Sequence, residues 1–478
     1  MPRPFLKNLA LGPLAAAAVL VGGCVLAPEE TKHEQEALRT AGDSFERPFD
    51  LRTLPEVPAE PTWPVLVDRA MRANGEVEAA YHEWAAAVHR VEQAGGYPNT
   101  PLSTSFSYGL RGGGSAFDRT SVTVGPDPME NLAFPPKVYQ AAKIALDDAK
   151  AARHRFAAKA FEVRRGVLGG WIAYALQAER VRIQGENVRL LKLLSETAAS
   201  RVQAGGPQQD LIRAETAFRI GQNELANLEA MLPQQRAQLN AALARPPDAP
   251  LPPPALMPLP RAMTLDDASL LALAAERNPR LEMLVNQVRG RANAIELARL
   301  QYVPDFNPFL GVTGSVSQVI GLGISIPTLL PELRGKVREA RADLGGMMAT
   351  YRQTKFDTAA GVVAALVTLR NSERQAALYD QQIIPATDRL LSLAREGYAA
   401  GAGTFLDLID AQRTSLDARI GLAEARAARE STLADLEALL GVDLEALTPP
   451  TTRPGTEPFA PDHAAMNHSR SNTAEPQD

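Results

Sequence analysis

The sequence predicts a mainly α-helical chain with a small β part, its long helices and short strands written in two copies. Composition is the first sign: apolar residues make up 45% of 478 and aromatics only 5%, which favours long helices packed closely side by side. The second is an internal repeat. Residues 66–110 lie over 270–314, with Arg72-Ala73-Asn74-Gly75 meeting Glu276-Arg277-Asn278-Pro279. Later, Asp210-Leu211-Ile212 meets Asp407-Leu408-Ile409, and Leu243 meets Leu440. The third is the length of the helical stretches, about 65 residues at most against the ~11–12 of an ordinary helix.

The same composition excludes several classes of function. Net charge is −5 and no Lys/Arg-rich run is present, so the chain lacks the basic footprint of a nucleic-acid binder. One cysteine rules out an intrachain disulfide, a thiolate zinc cluster and a Cys-ligated iron–sulfur centre. Six scattered histidines give metal chemistry little to build on, and no cofactor or metal is expected.

Residues 1–24 read as a lipoprotein signal peptide. Arg3 and Lys7 open it, Leu9 to Leu20 form a short apolar stretch, and Val21-Gly22-Gly23-Cys24 closes it. The stretch falls short of the ~20 apolar residues that a spanning helix needs. Small residues before Cys24 resemble a bacterial lipobox, which makes Cys24 the expected site of lipid attachment. Val25 follows it, not the Asp that resembles an inner-membrane retention signal.

Residues 25–64 contain several prolines and are expected to run extended. The first structural repeat, 65–245, has helices near 65–96, 137–202 and 208–244; the second, 264–445, has them near 266–301, 335–398 and 404–440. Between them the Pro-rich stretch 246–263 is a stiff linker. From 446 to 478 the Pro/Thr/Asn/Ser-rich tail lacks the apolar residues of a packed element. At about 1.5 Å per residue the longest helices reach about 100 Å, and the two shorter ones of a copy stacked end to end match them. Helices of that length imply a tube or a coiled bundle, not a compact globule.

Each copy also carries two short alternating stretches. Leu102, Thr104, Phe106, Tyr108 and Leu110 share one face, against Ser103, Ser105, Ser107, Gly109 and Arg111. Val122 and Val124 alternate with Ser121 and Thr123. In the second copy Phe306, Leu310 and Val312 form one run, broken by Phe309, and Ile320, Leu322, Ile324 and Ile326 form the other. Such runs suit membrane-crossing strands, apolar outward, and equally suit a half-buried soluble sheet. If they do span, four strands cannot close a barrel, since the smallest have about eight. Open edges in lipid leave backbone groups unsatisfied, so several protomers would share one barrel.

With these features the chain resembles the TolC-like outer-membrane factors, the outer membrane efflux protein family, in its lipoprotein form. The most specific segment is Tyr398-Ala399-Ala400-Gly401-Ala402-Gly403-Thr404-Phe405-Leu406-Asp407-Leu408-Ile409-Asp410-Ala411, with a first-copy counterpart in Arg201-Val202-Gln203-Ala204-Gly205-Gly206. The resemblance implies a homotrimer with a long α-helical barrel and a transmembrane β-barrel, four strands per protomer. It implies an outer-membrane channel of a tripartite efflux system, passing substrates from periplasm to exterior. The partners it implies are a periplasmic adaptor (membrane fusion) protein, an inner-membrane pump and outer-membrane lipid.

By this resemblance the turns at Gly205-Gly206 and Gly401 to Gly403 form the periplasmic tip, where the adaptor docks; glycine also suits a plain helix cap. Asp407 and Asp410, three apart, share one helical face. They would line the entrance as a ring of carboxylates that attracts cations and raises its own pKa, or would simply favour the positive end of their helix. Tyr398 and Asp210 match positions that hydrogen-bond across helices at the entrance; packing and helix capping are the other roles open to them. Gly403 stands where some family members carry a gating Arg.

Two rivals fare worse. An enzyme would need a constellation that is missing: there is no P-loop, nucleophile elbow or His-Glu-x-x-His run, while His82, His89, His463 and His468 form no set. A periplasmic adaptor or helical scaffold lipoprotein without a pore would show one helical hairpin between β-rich domains, not two equal copies.

Overall fold

The computed structural model describes residues 25–97, 102–110, 114–126, 132–254, 257–258, 260–261, 263, 265–315 and 317–445. Cys24 and the 446–478 tail lie outside them. Ten α-helices follow in order among these residues: α1 (Glu30–Gly42), α2 (Trp63–Ala73), α3 (Gly75–Gly95), α4 (Pro135–Gln203), α5 (Gln208–Ala242), α6 (Asp267–Arg277), α7 (Pro279–Leu300), α8 (Leu330–Leu378), α9 (Ile384–Ala400) and α10 (Phe405–Leu440). Four strands, β1 (Leu102–Tyr108), β2 (Thr120–Pro126), β3 (Asp305–Thr313) and β4 (Ser317–Ser325), sit two in each copy. The duplicated order of helix, two strands, long helix, turn and helix is present.

Three expectations need correction. Residues 25–64 are not all extended, because 30–42 hold no proline and form α1. Its Glu34 carboxylate accepts from Trp84 Nε1 at 2.9 Å and lies 3.2 Å from Arg153, which ties α1 to the first copy. The helices expected at 65–96 and 266–301 are each broken once. At the breaks Asn74 accepts from the Glu76 amide and Asn278 from the Leu281 amide, so each asparagine starts a new helix. The third correction falls inside 335–398, where a π turn at Tyr379–Ile383 separates α8 from α9. Pro385 has no amide to donate to the preceding turn, and the π turn re-pairs the ladder, with Ile384 N donating to Tyr379 O.

The long helix α4 is the axis of the fold, with α3, α5, α7 and α10 packed along it. Its lower half shares a core with α2 and α3 in which Leu66, Val88, Val91, Val167 and Leu239 are fully or almost fully buried. Aromatic rings close that core, Trp84 stacking on Phe156 at 5.7 Å and Phe45 lying 5.2 Å from Tyr81. The linker is pinned to the helices: Tyr174 donates to Leu251 O at 2.8 Å, and Asn240 to Ala249 O at 2.9 Å.

His154, on α4, is half-buried beside Arg153 and Arg289, and desolvation first, then the two cations, pushes its pKa down to about 4. The unfolded chain therefore takes up this proton first as pH falls. Stability is expected to drop between about pH 6.5 and 4, by at most about 3 kcal/mol. His154→Gln should flatten that part of a denaturation-against-pH profile; an unchanged profile refutes the assignment.

The strands form one antiparallel sheet in the order β1-β2-β3-β4, which leaves β1 and β4 as open edges. Cross-strand partners include Phe106 with Val122, Val122 with Val312, and Leu310 with Ile320. One face carries Phe106, Ile320, Leu322 and Ile324, each more than half exposed. Phe309, which breaks the alternation, pairs with Gly321. A Cβ at Gly321 would lie 2.2 Å from the Phe309 ring, so glycine there makes room for the aromatic. None of the described helices is long and apolar enough to cross a membrane.

Candidate functional site at the helical tip

At the end of the rods remote from the sheet the turns of the two copies pack together. α4 turns into α5, and α9 into α10, and their side chains share a small core. Leu191, Leu194 and Ala198 of α4, Ala214 of α5, Leu391 and Tyr398 of α9, and Phe405, Leu408 and Ala411 of α10 are all buried there. Tyr398 and Phe405 meet edge to face with centroids 5.5 Å apart.

The glycines divide by backbone need. Gly401 (φ 75°) and Gly205 (φ 94°) adopt the left-handed conformation that lets each rod stop and reverse. Gly206 is required for space, since a Cβ would come within 2.9 Å of Arg201 O. Gly403 sits against the backbone of Gly397 and Tyr398, with 3.2 Å available to a Cβ. A side chain there would need that turn to give by a few tenths of an ångström.

Asp407 does the helix-capping work. Its carboxylate accepts from Thr404 N at 3.1 Å and Thr404 Oγ1 at 2.6 Å, while Asp407 N donates back to Thr404 Oγ1 at 3.1 Å. The Thr404 hydroxyl and amide hold this carboxyl below its usual range. Asp410 is exposed one turn further along the same helix.

Tyr398 and Asp210 are not joined by a hydrogen bond among the described residues. Tyr398 is 3% exposed and held by its ring. Asp210 lies in the first turn of α5, whose cap is Pro207, so it acts on the helix dipole and not as the cap. The residue that sequence reasoning passed over is Arg201. Its guanidinium stacks 4.3 Å above the Tyr398 ring centroid, tying the first tip to the second. Its place in the first-copy tip motif was visible, but its partner is nearly two hundred residues away.

A polar row lies in the rods between the tip and the core shared with α2 and α3. Asn187 of α4 donates to Gln184 at 3.3 Å, Gln184 to Gly221 O at 3.0 Å, and Gln412 of α10 to Asn187. This row links buried amides across three helices and leaves the Gln412 carbonyl oxygen buried without a partner.

Comparison with known proteins gives concordant results. The family model described as outer membrane efflux protein matches residues 270–442, the second copy. The cobalt-zinc-cadmium resistance protein CzcC of Cupriavidus metallidurans is 22% identical over 279 residues, 54% of this chain. The match spans 63% of that relative's length. The outer membrane protein VceC of Vibrio cholerae superposes with a TM-score of 0.67 at 17% identity, covering 80% of this chain and 97% of VceC. The open-state MtrE outer membrane channel of Neisseria gonorrhoeae gives 0.65 at 18%, covering 82% and 94%.

Proposed function

We propose that this chain, whose residues 270–442 match the outer membrane efflux protein family, works as the outer-membrane channel of a tripartite efflux system, conducting substrates passively from periplasm to exterior. Its family and fold are those of channels and not of enzymes. They support a location in the outer membrane with the helices reaching into the periplasm. The observation that carries the reading is the four-stranded sheet with open edges and an exposed apolar face, joined directly to rods of up to 69 residues. Such a sheet is stable in lipid only when closed. Three protomers give a twelve-stranded barrel, and their paired rods continue it as a helical tube.

The lipid anchor belongs to the same proposal, with Cys24 as the acylated first residue of the mature chain. Leu26, two residues on, donates to Gly95 O at 2.7 Å, where α3 ends close before β1. The anchor would thus sit at the level where helices give way to strands. Fatty-acid labelling should be lost in a Cys24→Ala variant; undiminished labelling overturns this part.

At the tip, the turns around Gly205 and Gly401 would receive the adaptor, with the pump beyond it. Asp410 and Asp407, repeated in three protomers, would line the entrance as a cation-attracting ring. With a relative named for cobalt-zinc-cadmium resistance, divalent cations are the cargo class favoured first. Purified protein in a planar bilayer should show discrete conductance steps, and a monomer that never conducts refutes the channel. Asp407→Asn with Asp410→Asn keeps an acceptor for the cap and removes the charge. Block by multivalent cations should then weaken by roughly an order of magnitude; unchanged block would leave the acids as helix-start residues only.

A further inference from the structure

The first described residues, Val25 and Leu26, run beside an open groove at the helix–strand junction. This groove, of about 420 Å³, is lined by Ala94 and Gly96 from the end of α3, Val138 and Ala141 from the start of α4, Leu297 of α7, and Ala133. Such a volume is ordinary for a small-molecule site. Gln93 and Gln301 lie on its rim with the Lys137–Asp305 ion pair, 2.8 Å long. Apolar walls with amide donors at the rim suit a hydrocarbon chain that carries an ester or amide carbonyl at one end.

The course of the chain points to which hydrocarbon fills it. Besides the Leu26–Gly95 hydrogen bond, Gly95 is packed so closely that a Cβ would meet the Leu26 backbone and the Val25 side chain at 3.2 Å. Gly96, the next residue, lines the groove. Residue 24 is two positions before Leu26, and two residues of extended chain reach at most about 7 Å. An acyl chain on Cys24 therefore starts within reach of the groove mouth. The exposed apolar strand face begins at the same level, so the groove lies where hydrocarbon is at hand.

We propose that this groove seats an acyl chain of the lipid carried on Cys24, docking the anchor onto its own protomer instead of leaving all of it free in the bilayer. The proposal rests on the acylation of Cys24. The Gln93 and Gln301 amides would donate to the carbonyls of the lipid. Lys137, paired with Asp305, would leave no unpaired charge against the lipid. The docked chain would stiffen the junction between tube and sheet, where the helices must hand over to β1 and β3.

Growth with a photoactivatable fatty acid tests this on the full-length protein in its own membrane. After irradiation, cross-links are expected in peptides containing 93–96, 133–141 and 297–301. Ala141→Trp, which fills the groove, should reduce those cross-links at least severalfold while label incorporation stays unchanged. Label that is incorporated but cross-links only to bilayer lipid, or to residues away from the groove, overturns the docking and leaves the acylation intact. A chain that takes up no label overturns both.

Discussion

Glu437→Ala should cost the folded chain about 3–5 kcal/mol, the range for removing one partner of a buried ion network. Glu437 is 1% exposed near the end of α10. One carboxylate oxygen takes Arg261 Nη1 of the linker at 3.0 Å, and the other lies 3.5 Å from Arg164 Nε of α4. Arg261 also binds Glu430 at 3.0 Å, and Arg429 joins Glu430 to Glu373. Both Arg164 and Arg261 stack on Trp63, at 5.3 and 5.7 Å. Alanine at 437 would take a carboxylate from two largely buried guanidinium groups, leaving Arg164 with Asp443 at 2.9 Å and Arg261 with Glu430, which Arg429 shares. Glu437→Gln keeps an acceptor and should lose less than half as much. Denaturant midpoints of the detergent-solubilised protein measure both, and a loss under 1 kcal/mol for Ala would show that the network contributes little. Because it unites the linker with one helix of each copy, its loss should also separate the two repeats during unfolding.

Tyr398→Ala should open the tip. Truncating a buried aromatic costs about 3–5 kcal/mol, and here the loss falls on one small core. Phe405 would lose its edge-to-face partner and Arg201 the ring beneath its guanidinium. Hydrogen exchange at the amides of 394–408 should rise by orders of magnitude, and single-channel conductance should increase with it. Tyr398→Phe separates ring from hydroxyl. Since the ring makes the contacts seen within one protomer, Phe should behave like the parent chain. If Phe instead conducts like Ala, the hydroxyl bonds to a neighbouring copy and the packing account fails.

Local rules reached far along this chain. The lengths of α4, α5 and α10 followed from helical periodicity, and the Gly205 and Gly401 reversals from glycine's access to positive φ. The strand positions followed from alternation, though Phe309 looked like an error until Gly321 was found opposite it. The asparagines at 74 and 278 were visible as matched positions of the repeat, but not as breaks, because a single Asn is tolerated inside many helices. α1 was hidden by the prolines around it.

What the sequence determined by itself was the duplication, the helix and strand repertoire and the sites of reversal, all of which depend on residues within a few turns of one another. Only the tertiary structure decided who meets whom. Arg201 with Tyr398, Arg261 with Glu437 and Leu26 with Gly95 join residues far apart in the chain. Their energies arise from burial, and burial exists only once the rods lie side by side. The π turn at Tyr379 belongs to the same class. Pro385 announces a disturbance in the helix, but whether the chain kinks, breaks or absorbs an extra residue is settled by the neighbours it must continue to touch.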